Sequence, residues 1–126
     1  MKNNLRKILS LWVIGLLLIG AIAEWQFKVL QRAYDHFILD NRNHYLSCNE
    51  LPPKLEVERI VEGHRDVIRQ IEQVAPGSTG VEIDTLTCEG KADLLIWYGT
   101  HEQRIAIEAM IGEDTFFGIP YRLQNR

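Results

Sequence analysis

A chain of 126 residues has room for one small folded domain and one appended segment. Its charge is uneven: residues 1–47 carry 6 Lys/Arg against 3 Asp/Glu, and residues 48–126 carry 8 against 14. The distal part is therefore acidic, and no nucleic-acid partner is expected, because phosphate binding needs a basic face.

The first element is an uncharged run, Ile8 to Ala23, behind the basic residues Lys2, Arg6 and Lys7. As a helix its sixteen residues span about 24 Å, against about 30 Å of hydrocarbon. Leu5 extends the run at one end and Trp25 and Phe27 at the other, so bilayer contact is expected over residues 5–27. Two readings stand side by side. An uncleaved signal anchor leaves a single-pass protein, with its N-terminus in the cytoplasm and residues 48–126 outside. The alternative is a secretory signal cut after Ala21-Ile22-Ala23, an A-x-A pattern, which releases the same domain outside the cytoplasm.

Residues 24–46 contain no Gly or Pro and read as a continuing helix, so residues 24–47 are expected as an amphipathic connector. Phe27, Leu30, Tyr34 and Phe37 fall on one stripe, spaced 3, 4 and 3 residues apart. Such a stripe must pack on its own domain, on a partner or at the membrane surface. These four residues are candidate partner-facing positions, joined by Phe116 near the C-terminus.

The domain proper is expected over residues 48–126. A helix spans about 54–74, with Val57, Ile60, Val61, His64, Ile68 and Ile71 on its inner face. A strand over 81–88, a turn at Glu89-Gly90-Lys91 and an apolar strand over 92–98 read as a hairpin. Thr100 and Gln103 form a capping box for a helix over 101–111, which Gly112 stops. The last strand is read over 115–124, with Pro120 favouring an edge position. The fold class is α+β: an N-terminal membrane helix, then an α-β-β-α-β domain with a three-stranded mixed sheet. The helical crossover makes the last two strands parallel.

Gly99-Thr100 closes the central strand before a helix, and Gly118-Ile119-Pro120 opens the last one. With the element order over about residues 55–125, this resembles the BON-type domain of periplasmic and outer-membrane-associated proteins. The resemblance implies a membrane-associated module that binds phospholipid or protein and does no catalysis. The cysteines and the Phe116-Phe117 run lie outside that pattern.

Cys48 and Cys88 are the only cysteines, and an even count in an exported domain predicts a disulfide between them. No metal or cofactor site is expected. His101-Glu102 opens like a zinc-protease helix, but Ile105 stands where the second ligand is required. His36 and His44 are eight apart, close to one face of the connecting helix, where a haem or metal bridge would need a partner subunit as well, and His64 reads as a half-buried packing residue. Ser78 lacks a nucleophile elbow, and Glu82 and Asp84 read as a solvated strand face. The expected function is a non-enzymatic, membrane-anchored interaction or scaffold domain, an accessory subunit beside another membrane or envelope protein. Alternatives are a lipid- or envelope-binding module and, less favoured, a small hydrolase or redox protein.

Overall fold

A computed structural model describes the backbone of residues 2–126, with side chains from Lys7 onward. The expectations for Lys2, Leu5 and Arg6 side chains lie outside the described residues. The chain divides into two compact units, residues 1–34 and 35–126.

The first unit lies within one helix, α1 (Lys2–Phe37), which also supplies the first three residues of the second. From Lys7 to Phe37 it is long and apolar enough to cross a membrane, and its most apolar window is 0% buried by the rest of the chain. The helix stops at Phe37 and not near residue 46. Asp40, Asn41 and Asn43 are poor helix formers, whose short polar side chains compete with the helical backbone. Asp40 takes a left-handed conformation at φ 53°, and the Asn41 N–H closes on the Asp35 carbonyl at 2.7 Å.

In the second unit the helices are α2 (Lys54–Gly63), α3 (Arg65–Glu72) and α4 (His101–Ile111). The strands are β1 (Gly80–Asp84), β2 (Asp93–Tyr98), β3 (Thr115–Phe116) and β4 (Ile119–Asn125). The single helix expected over 54–74 is two, broken at His64, where φ is −124° and ψ 33°. The His64 N–H bonds the Val61 carbonyl, and its ring Nδ1 engages the Ile60 carbonyl at 2.8 Å.

The sheet order is β1-β2-β4-β3. β1 and β2 form the antiparallel hairpin, with Val81 opposite Ile96. β2 and β4 are parallel, with Leu94 beside Tyr121 and Ile96 beside Leu123, joined through α4. β1 ends at Asp84, four residues before the expected end, because its carboxylate accepts the Leu86 and Thr87 N–H groups at 2.9 and 3.1 Å and turns the chain.

The expected last strand is itself a hairpin. Phe117 and Gly118 both take positive φ, 50° and 88°, as a tight two-residue turn requires, and Phe116 pairs with Ile119. The sheet therefore has four strands, and β4 is not an edge: it lies between β2 and β3. Pro120 is accommodated opposite Thr115, before the pairing with β2 begins at Tyr121.

Register sorts the side chains by face. Leu94, Ile96, Tyr98, Tyr121 and Leu123 share one face and are fully buried with Val57, Ile71 and Ile107 of the three helices. Glu82, Asp84, Asp93, Leu95, Trp97 and Arg122 occupy the opposite face. Gly80 lies under the Trp97 indole, where an added Cβ would fall 2.2 Å from a ring carbon.

Candidate functional site

Residues 38–47 form an irregular strap from the end of α1 to the sheet. Arg42 exchanges two backbone hydrogen bonds with Leu123, both 2.8 Å, covering the part of the β4 edge that the two-residue β3 leaves open. Covering an exposed edge removes a template for unwanted strand pairing. Two charged clusters fasten the strap, one on each side of this crossing.

On the helix side the centre is Arg104, 3% exposed, on the same stripe of α4 as Ile107 and Ile111. It donates to Asp40 Oδ1 at 2.8 Å, to Glu108 at 3.4 Å and to His36 Nδ1 at 3.2 Å. Asp40 Oδ1 also meets His101 Nδ1 at 2.9 Å, and the Tyr98 hydroxyl donates to the Asp40 carbonyl. Arg42 donates to Tyr121 Oη at 2.9 Å and to Asp114 at 2.6 Å. Burial works against the charged Asp40, but the His101 and Arg104 hydrogen bonds outweigh it and hold the carboxyl below the usual range. Burial pushes the Tyr98 hydroxyl up to about 12. Among the described residues, Asp40 Oδ2 is the buried side-chain oxygen without a hydrogen-bond partner.

On the open face the centre is Asp93, 3% exposed, at the start of β2. Arg122 grips it with Nε at 2.6 Å and Nη2 at 3.0 Å, and reaches Asp84 at 2.5 Å. His44 Nε2 meets Asp93 at 2.7 Å, while its Nδ1 accepts the Leu46 N–H at 3.0 Å. Burial opposes the Asp93 charge, yet the His44 and Arg122 bonds prevail and keep its carboxyl low. The strap residues Asn43, His44 and Leu46 share a small cleft with Asp84, Thr87 and Arg122. An Asp–His pair is the skeleton of a general base, but a base needs one ring nitrogen facing its substrate. Here the backbone occupies Nδ1, so His44 acts as a pin between strap and sheet.

Cys48, at the end of the strap, is bonded to Cys88 in the β1–β2 connection, with Cα atoms 5.4 Å apart. Beyond it, Ala92 N donates to the Pro52 carbonyl and Lys54 N to the Gly90 carbonyl, continuing the clamp. Among the described residues no group of three or more His, Cys, Asp or Glu side chains is placed to hold a metal ion.

Of the candidate partner-facing residues, Phe27, Leu30, Tyr34 and Phe37 are exposed along α1, between 54% and 79%. Phe116 is a correction: it is fully buried, because the hairpin turn reverses the in–out alternation expected of one continuous strand. Phe117 is the exposed aromatic, with one ring face stacked on His64 at 3.6 Å. Arg104 and Asp93, both buried, are not among the candidate residues of the sequence. Their signals are an Arg at helical spacing from Ile107 and Ile111, and an Asp opening an otherwise apolar strand. Each is a charge in a buried pattern that needs a partner.

No protein-family model, curated protein or solved structure matches the chain. The BON-type resemblance therefore rests on the residues quoted for it alone.

Proposed function

We propose that this protein is a single-pass membrane protein whose folded domain stands outside the cytoplasm as a non-enzymatic interaction or scaffold module, an accessory subunit of a membrane complex. The observation that carries the reading is α1, whose apolar window has a mean hydropathy of 2.1 and is 0% buried by its own chain. A helix that is apolar all round and uncovered by protein calls for lipid as its solvent. The Cys48–Cys88 disulfide supports an oxidising compartment for the domain. Support for a scaffold over a catalyst comes from the polar clusters, where His44, Asp93, Arg104 and Arg122 spend their bonding capacity on tying the strap down.

Purification of the full chain in mild detergent from alkali-washed membranes tests this reading. The expected result is retention in the membrane pellet and stoichiometric co-purification with another membrane protein. Extraction by alkali, or turnover of a hydrolysable or redox substrate by the pure chain, contradicts it.

A further inference from the structure

We infer that α1 is a dimerisation helix, and that its partner is α1 of a second copy lying parallel to it in the same bilayer. This rests on the membrane-spanning reading above.

The outer stripe Phe27, Leu30 and Tyr34 sits on an uninterrupted helix, so its spacing can be followed inward. Alternating steps of 3 and 4 residues from Phe27 lead to Ala23 and Gly20, then to Leu16, Val13 and Leu9. This is a period of about 3.5, the a/d repeat by which two helices keep a seam in contact over several turns. Every residue from Ile8 to Ala23 is uncharged, so a large apolar side chain there says little about phase. Of the small residues in this run, Gly20 and Ala23 fall consecutively on the seam, where two backbones can approach closely, while Ser10, Gly15 and Ala21 fall off it, so the phase is set by the outer stripe Phe27, Leu30 and Tyr34.

The rest of the helix surface agrees. Glu24 and Lys28 form an i,i+4 ion pair at 3.5 Å, and neither stands on the seam. The seam from Leu9 to Tyr34 carries no charge, so two identical copies side by side place no like charges in contact. Copies anchored in the same orientation present this seam at equal heights, so aromatic outer turns meet aromatic outer turns.

A helix of 36 residues is about 54 Å long, well over the roughly 30 Å of hydrocarbon. With the apolar run in the bilayer core, Leu30 and Tyr34 stand beyond it, 67% and 54% exposed. Hydrocarbon does not cover them, and a second helix does. Six large seam side chains, Leu9, Val13, Leu16, Phe27, Leu30 and Tyr34, at on the order of 100 Å² each, give about 600 Å² of contact per partner, about three quarters of a standard interface, with the inner three leaving lipid and the outer three leaving water.

Single cysteines introduced into the full chain, reconstituted in lipid vesicles at low protein density, test this directly. Cys48 and Cys88 are bonded to each other, so the new thiol is the only free one. Under a mild oxidant, Phe27→Cys, Leu30→Cys and Tyr34→Cys are expected to give cross-linked dimer, and Lys28→Cys and Arg32→Cys to stay monomeric. Gly20→Leu added to Leu30→Cys is expected to lower the dimer yield several-fold. A Cβ at Gly20 meets nothing within 4 Å of its own chain, so that loss reports the neighbouring helix. Equal cross-linking at all positions, none at any, or a maximum at Lys28 and Arg32 overturns the proposal while the anchor stands. Release of the chain from the vesicles by alkali overturns the anchor and the dimer with it.

Discussion

At the scale of single residues, Gly80 and Arg104 bear constraints that their neighbours do not. A methyl group at Gly80 falls 2.2 Å from the Trp97 ring, which must move. Gly80→Ala is expected to destabilise the domain by about 1–3 kcal/mol in urea titration. Trp97→Ala in the same chain should cancel most of that coupling; additive losses would show that the indole moves freely. Arg104→Met leaves Asp40 and Glu108 without their shared cation. Breaking a buried pair costs about 3–5 kcal/mol, and the low end is expected because both carboxylates retain some water. A loss under about 1 kcal/mol would mean that the cluster is solvated and the pair worth no more than a surface one. Both constraints were hard to read in advance. Gly80 is one of nine glycines, and only the register places it beneath Trp97. Arg104 was legible in principle, as a charge among Ile107 and Ile111, but its partners Asp40 and His36 come from the far end of the chain.

At the scale of elements, local signals were reliable and irregular backbone was not. The Thr100–Gln103 capping box and the left-handed Gly112 bound α4 as expected, because caps are encoded within a few residues. The hairpin and the parallel crossover followed from alternation and chain order. The strap did not, since its backbone is satisfied by the distant Leu123 and Tyr98 and its His44 ring by the distant Asp93. The burial of Phe116 has the same origin: Phe117 in a left-handed turn is an unusual choice, and alternation alone carries the strand straight through it. The disulfide is the strap's covalent tie. It closes a separation of 40 residues, and Cys88→Ser is expected to cost about 4 kcal/mol on chain entropy. Hydrogen exchange should show faster amides at Arg42 and Leu46 in that variant. Unchanged protection there would mean that the charged clusters alone hold the strap.

At the scale of the whole molecule, acid acts through three carboxylates. Asp40, Asp84 and Asp93 are each burdened by burial, yet the hydrogen bonds of His101 and Arg104, of Thr87 and its backbone, and of His44 and Arg122 hold them low when folded. A carboxyl depressed by folding stabilises the fold above its unfolded value and loses that contribution as pH falls toward its folded value. The urea midpoint should therefore change little from neutrality to about pH 4 and fall below it, since unfolded Asp titrates near 3.9. Asp93→Asn should flatten the fall. A midpoint that drops already between pH 7 and 5 would point instead to a different group.

The two units meet along one chain, an apolar helix leading into a strapped and disulfide-tied domain, and the account turns on where that helix lies. Protease added outside sealed, right-side-out membrane vesicles holding the full chain measures this most directly. The account predicts loss of the domain from Asp35 onward without detergent, with a fragment containing Ile8 to Ala23 left in the membrane. A domain that is protected until detergent is added, or a chain that leaves with the soluble fraction, would contradict it.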